Sequence, residues 1–206
     1  MLMRLVKPGL GTIAALTIVL AGQSPLAAQC GISCPPYTPP SGPNLLANPD
    51  FDFVGPCGSA TWWVNGTGSC QQDLTASAAK GWRIHSSNSG AMLRTYLEPS
   101  TLPLGGGARM IHVLAGGNEG GVWQMLPLGL SKVMATAWVY VRRGKVLMQT
   151  NGGTTGPNSW STKIGEWEQL RICTDGVVPV DMFLVYNQDP NGGDFYVDRV
   201  EVKVIN

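Results

Sequence analysis

The chain has 206 residues, a formal net charge of +1 and only 13% charged side chains, alongside 27 glycines and 15 prolines. That balance gives no basic footprint for nucleic acid and no polybasic run for anionic lipid. The polar exterior must come largely from Ser, Thr, Asn, Gln and Gly, a surface suited to neutral ligands.

Arg4 and Lys7 make a basic start, Leu10 to Gly22 is apolar, and Leu26-Ala27-Ala28 offers small residues for cleavage before Gln29. Residues 1–28 thus have the pattern of a secretory signal peptide, with an apolar stretch too short for a comfortable transmembrane helix. Its removal takes two basic and no acidic residues and leaves a slightly acidic chain. The expected destination is secreted, extracellular or periplasmic, with no membrane insertion after cleavage. Residues 29–43 carry Pro35, Pro36, Pro39, Pro40 and Pro43 and read as an extended linker. Residues 44–206 suffice for one domain that buries about 70% of its unfolded surface.

From Asn44 onward the pattern is strand-like. Expected strands cover residues 44–53, 82–85, 91–97, 108–114, 121–126, 133–142, 145–151, 167–174, 177–186 and 194–204. The clearest is Val133 to Arg142: Val133, Ala135, Ala137, Val139 and Val141 fall on one face, and Met134, Thr136, Trp138, Tyr140 and Arg142 on the other. Gly105-Gly-Gly107, Gly116-Gly117, Gly152-Gly153 and Asn191-Gly-Gly193 punctuate the strands. The fold class is therefore all-β, a two-sheet sandwich, with a single closed barrel as the alternative.

Five cysteines in an exported chain suggest disulfides. Cys57 with Cys70, and Cys30 with Cys34, would each close a local loop and leave Cys173 over; four cysteines already allow three pairings. A loop of the Cys57–Cys70 size is stabilised by about 3 kcal/mol on chain-entropy reasoning. Catalytic signatures are missing. The chain has only two histidines, His85 and His112, and neither His-Glu-x-x-His, Gly-x-Ser-x-Gly nor Gly-x-x-x-x-Gly-Lys. Glu166 and Glu168 read as surface charges at a strand edge.

Two segments carry a family resemblance: Asn44-Leu-Leu-Ala-Asn-Pro-Asp-Phe-Asp52 and Asp194-Phe-Tyr-Val-Asp-Arg-Val-Glu-Val202. The chain resembles the carbohydrate-binding modules of families 4, 9 and 22, galactose-binding-like β-jelly rolls. Those modules open with Asn-Leu-Leu-x-Asn-Gly-x-Phe-Glu and close on an aromatic-led strand with Val/Ile-Asp-x-Val. Gly121-Val-Trp-Gln124, the Trp138 strand and Gly165-Glu-Trp-Glu168 follow in the expected order. Pro49 and Asp52 depart from the pattern, where it has glycine and glutamate. The resemblance implies a non-catalytic module for an oligosaccharide or polysaccharide, first and last strands side by side, Trp82 and Trp167 in the core, and a structural calcium ion near the chain ends.

The expected ligand residues follow from how a sugar is held: rings stack on its C–H face, and amides or guanidinium groups bind its hydroxyls. Trp138, Tyr140 and Arg142 share one face, with Gln124, Tyr186 and Asn187 as polar or aromatic neighbours. Trp62 and Trp63 point opposite ways on a strand, so one ring anchors while the other is exposed. The bland alternatives are that Trp138 and Tyr140 pack beneath a loop and that Trp62 and Trp63 both cap the core. Asp50, Asp52 and Asp198 are the expected oxygen ligands for calcium; the alternative for Asp198 is a carboxylate bonded to backbone N–H groups. A structural or adhesive protein using the same sandwich for protein contact is the second functional reading.

Overall fold

The computed structural model describes residues 42–86, 91–130, 132–151, 157–174 and 176–205. Among these residues twelve strands, numbered in chain order, make two antiparallel sheets. The larger runs β10 (Trp167–Cys173), β7 (Val133–Arg143), β12 (Gly193–Val204), β5 (Arg109–Ala115), β4 (Leu93–Pro99), β1 (Ala60–Val64), β2 (Thr67–Gly68). The smaller runs β3 (Arg83–His85), β6 (Gly121–Leu130), β11 (Val180–Asn187), β8 (Val146–Gln149), β9 (Asn158–Trp160). This is a jelly-roll sandwich and not a closed barrel.

Period-two alternation builds the core. Val133, Ala135, Ala137, Val139 and Val141 of β7 all face inward, beside Ile111 and Val113 of β5 and Phe195 and Val197 of β12. Val122, Phe183, Val185 and Met148 meet them from the smaller sheet. One end is filled by rings: Trp82 lies 4.9 Å from Phe51 and 6.2 Å from Phe183, centroid to centroid.

The expected first strand, residues 44–53, is not one. Asn48 and Phe51 adopt φ of 50° and 56°, and Pro49 has no N–H to give a ladder. The segment nonetheless lies along β12. Leu45 N donates to Val202 O at 2.8 Å, Asn44 Nδ2 to Val200 O at 2.7 Å, and Val200 N to Pro49 O at 3.0 Å. The chain ends meet as expected, through side-chain and irregular backbone bonds in place of a regular pairing. Gln124, expected at the ligand, serves this segment instead. It is buried on β6, accepting from Ala47 N at 2.7 Å and donating to Ala47 O at 2.9 Å, so both ends of its amide are occupied.

Three further expectations are corrected. Trp167 stands half-buried on the outer face of the larger sheet, because β10 pairs it with Tyr140 and turns Glu168 inward. Glu168 is buried and accepts from Thr162 N, Thr162 Oγ1 and Lys163 N at 2.7–3.2 Å, so it organises a loop. Cys57 and Cys70 form a disulfide with Cα atoms 5.3 Å apart, and Cys173 is itself disulfide-bonded instead of left over. Cys30 and Cys34, the leader and nearly all of the linker lie outside the described residues.

Candidate functional site

The outer face of the smaller sheet carries a second apolar cluster, separate from the main core. Register sets Arg83, Trp123, Leu184, Gln149 and Asn158 in one row across the strands, and His85, Gly121, Tyr186, Leu147 and Trp160 in the next. Their neighbours Ile84, Val122, Val185 and Met148 face the core, so these rows must face out. Even so, Leu147, Leu184 and Tyr186 are only 4%, 1% and 6% exposed, with Trp123, Trp160 and Met182 packed around them. Trp123 and Trp160 stand on β6 and β9, three strand spacings or roughly 14 Å apart. They flank Leu184 and Leu147.

Polar groups are held in place on that face. Tyr186 Oη donates to Gln149 Oε1 at 2.8 Å, and Gln149 Nε2 donates in turn to Asn151 O. Trp123 Nε1 donates to Ile84 O at 3.1 Å. The Arg83 guanidinium lies 5.9 Å from the Trp123 centroid, and Lys145 Nζ 4.5 Å from that of Trp160. A side chain at Gly121 would run into Val185 and Tyr186 of β11. Its absence lets the Tyr186 and His85 rings meet across β6 at 4.9 Å. Burial lowers the pKa of His85 and raises that of Tyr186, which favours the neutral form of each.

The outer face of the larger sheet is organised differently. A row of rings crosses five strands: Trp167, Tyr140, Tyr196, His112 and Tyr96, with Ala60 at its end. Successive centroids are 5.7, 6.1, 4.3 and 5.7 Å apart. Tyr140 is half-buried and tilted 60° and 65° to its two neighbours. Buried His112 holds Glu98 at 2.7 Å through Nδ1 and Asp194 at 2.9 Å through Nε2. Exposed Arg142 lies 3.4 Å from the Tyr196 hydroxyl and 3.6 Å from Asp194. Trp138 is half-buried in the next row, opposite Gln169 and Asp198.

The remaining expected residues separate. Tyr186 is buried in the apolar cluster of the smaller sheet. Asn187 is fully buried and ties loops together: its Nδ2 donates to Gly117 O and Asp189 O, and its Oδ1 accepts from Lys145 N and Asp189 N. Trp63 packs on the core and Trp62 is 39% exposed, one ring in and one out. Trp123 and Trp160 were not among the expected ligand residues, although strict alternation beside inward Val122 marks Trp123 as outward.

Asp50, Asp52 and Asp198 do share one corner. Burial and mutual repulsion raise the pKa of Asp50 and of Asp198. Gly106 leaves room for the fully buried Asp198, whose two carboxylate oxygens would lie 2.9 Å from any Cβ there. Asp198 accepts from Arg199 N at 2.7 Å and from the Ser100 hydroxyl; Asp52 Oδ1 accepts from Ala108 N at 2.6 Å and Arg109 N at 3.2 Å. The chemistry suits a hard cation, but among the described residues no three His, Cys, Asp or Glu side chains are arranged to hold a metal ion.

No family model and no curated protein matches the chain. Solved structures do. The chain is similar to a family 61 carbohydrate-binding module in complex with β-1,4-galactotriose, at 14% identity and a TM-score of 0.49, over 80% of this chain and 100% of that one. It is similar to a putative sugar binding protein from Bacteroides thetaiotaomicron, at 10% identity and a TM-score of 0.49, over 79% and 100%. It also resembles part of an arabinose-bound α-L-arabinofuranosidase, at 12% identity and a TM-score of 0.51, over 78% of this chain but 26% of the enzyme. At these identities the likeness is one of fold alone.

Proposed function

We propose that residues 44–206 are an exported, non-catalytic carbohydrate-binding module whose ligand is a glycan chain held on the smaller sheet. The observation that carries this is the pair of half-buried rings, Trp123 and Trp160, packed on either side of an apolar cluster on the outer face of the smaller sheet. Ring faces suit the C–H faces of sugar rings, and the exposed Asn158 amide suits hydroxyls. Holding those groups in place beforehand reduces the ordering cost of binding. Glycoside hydrolysis would need two carboxyl groups facing each other at a set separation, whereas the two rows of that face supply rings, aliphatic groups, amides and bases. The Cys57–Cys70 bridge fits an oxidising compartment.

The test is a glycan array on the purified chain followed by calorimetry with Trp160→Ala. Retention of a glycan by the wild type and its loss in the variant, with unchanged melting, is the expected result; an array with no hit on any glycan would end the reading.

The proposal includes a structural calcium ion at the Asp50, Asp52 and Asp198 corner. Binding it would neutralise the mutual repulsion of the carboxylates. Protein contact is the second reading. Met125, Leu128, Val177 and Val178 favour it, exposed where β6 ends and β11 begins; it requires that polar substitutions there, and not at Trp160, remove partner binding.

A further inference from the structure

On the opposite side of the sandwich, the ring row ends in a pocket. The β1–β2 hairpin turns through Asn65 and Gly66, both at positive φ (49° and 76°), the geometry of a two-residue primed turn. Trp63 points to the core, so alternation forces Trp62 outward. The Cys57–Cys70 bridge, the Ser69 N to Trp62 O bond at 2.9 Å and the Trp62 N to Ser69 Oγ bond at 3.0 Å fix its backbone. Register sets Trp62 opposite Arg94 and Ala60 opposite Tyr96. Because Ala60 is small, a pocket of about 240 Å³ opens between Trp62, Arg94 and Tyr96, with Thr61 and Met92 completing its wall. That is below the ~300–1,000 Å³ of sites for drug-sized ligands and suits a single sugar ring.

The charges of this face decide what kind of ring. Its carboxylates are engaged: Glu98 and Asp194 hold His112, Asp194 also faces Arg142, and Asp198 is buried beneath Ser100. Exposed Arg94 has its Nε on Met92 Sδ at 3.0 Å, and among the described residues no carboxylate lies within ion-pairing distance of it. An exposed guanidinium beside two aromatic rings matches a ligand with an apolar ring face and a carboxylate on it.

We propose that the Trp62–Arg94–Tyr96 pocket is a second glycan site, separate from the smaller sheet's face, that takes a hexuronate ring of an acidic oligosaccharide. Trp62 and Tyr96 hold the C–H faces, and the terminal nitrogens of Arg94 hold the carboxylate. The site does not depend on that face binding anything.

Titration of the purified chain with trigalacturonate and triglucuronate, beside the same trisaccharides with their carboxyls reduced to alcohols, tests this. At least one triuronide should bind, weaken as salt is raised, and exceed its reduced counterpart. Arg94→Gln should weaken it by about tenfold to a hundredfold, Trp62→Ala should do so comparably, and Trp160→Ala should leave it unchanged. Arg94 and Trp62 are both exposed, so the variants should fold, and unchanged melting confirms that they have. Binding of neither triuronide, equal binding of the reduced forms, or loss of triuronide binding in Trp160→Ala with retention in Arg94→Gln would each overturn the proposal. Failure of the neutral-glycan array alone would sink only the site on the smaller sheet.

Discussion

The two outer faces of the sandwich use similar residues to opposite ends. On the larger sheet the rings touch one another in an unbroken row from Trp167 to Tyr96 and bury the sheet beneath them. On the smaller sheet Trp123 and Trp160 are held apart by the aliphatic side chains of Leu184 and Leu147. Aromatic content alone therefore does not mark a binding face. What matters is whether the rings find partners within the protein or are spaced to admit one from outside.

The sharpest way to break that contrast is Trp160→Ala. Neutral-glycan affinity should fall by a factor of roughly thirty or more, as for a hot-spot residue, with little change in melting. Replacing Cys57 and Cys70 by serine should lower unfolding free energy by about 3 kcal/mol, measured by urea titration, and leave neutral-glycan binding intact. Tyr196→Ala, in the middle of the ring row, should cost about 1–3 kcal/mol through its two ring contacts and leave neutral-glycan affinity unchanged; a loss of that affinity would mean the row itself is the ligand face.

The smallest expected effect concerns the acidic corner. Asp50 and Asp198 have raised pKa values when folded, so between the unfolded and folded values the native state binds more protons. In chelator, this corner should therefore add stability as pH falls from neutral toward the ordinary carboxylate range near 4, and lose it as pH rises. Asp198→Asn should remove much of that slope, seen as the difference between wild-type and variant melting temperatures. In calcium the slope should reverse, because protons then compete with the ion. Melting that is the same in calcium and in chelator would remove the metal from the account.

Much of this was legible in the sequence wherever strands are long. On β7, Val133, Ala135, Ala137, Val139 and Val141 face the core as the alternation over Val133–Arg142 implies, while Met134 and Thr136 of the other face are buried too. In the same way, Leu93 and Thr95 facing in mark Arg94 and Tyr96 as facing out. Short elements hid the rest. β9 is three residues long, too few for a period to show, so Trp160 went unnoticed. β1 was not among the expected strands, although Trp62 and Trp63 were read as lying on one and Asn65-Gly66 is a strong hairpin signal. Gln124 looked like a ligand residue because an amide's chemistry is the same whether it faces a sugar or a backbone; only the approach of Ala47 distinguishes them.

The segment from Asn44 to Ala47 has a mechanical consequence. Asn44 and Leu45 are fastened to β12 in one sheet, and Ala47 is fastened by Gln124 to the other. It acts as a hasp across the two layers at the end where Phe51 and Trp82 meet. Prying the layers apart there must first undo it, so the Ala47 amide should exchange with solvent only when the whole sandwich opens, not in local breathing.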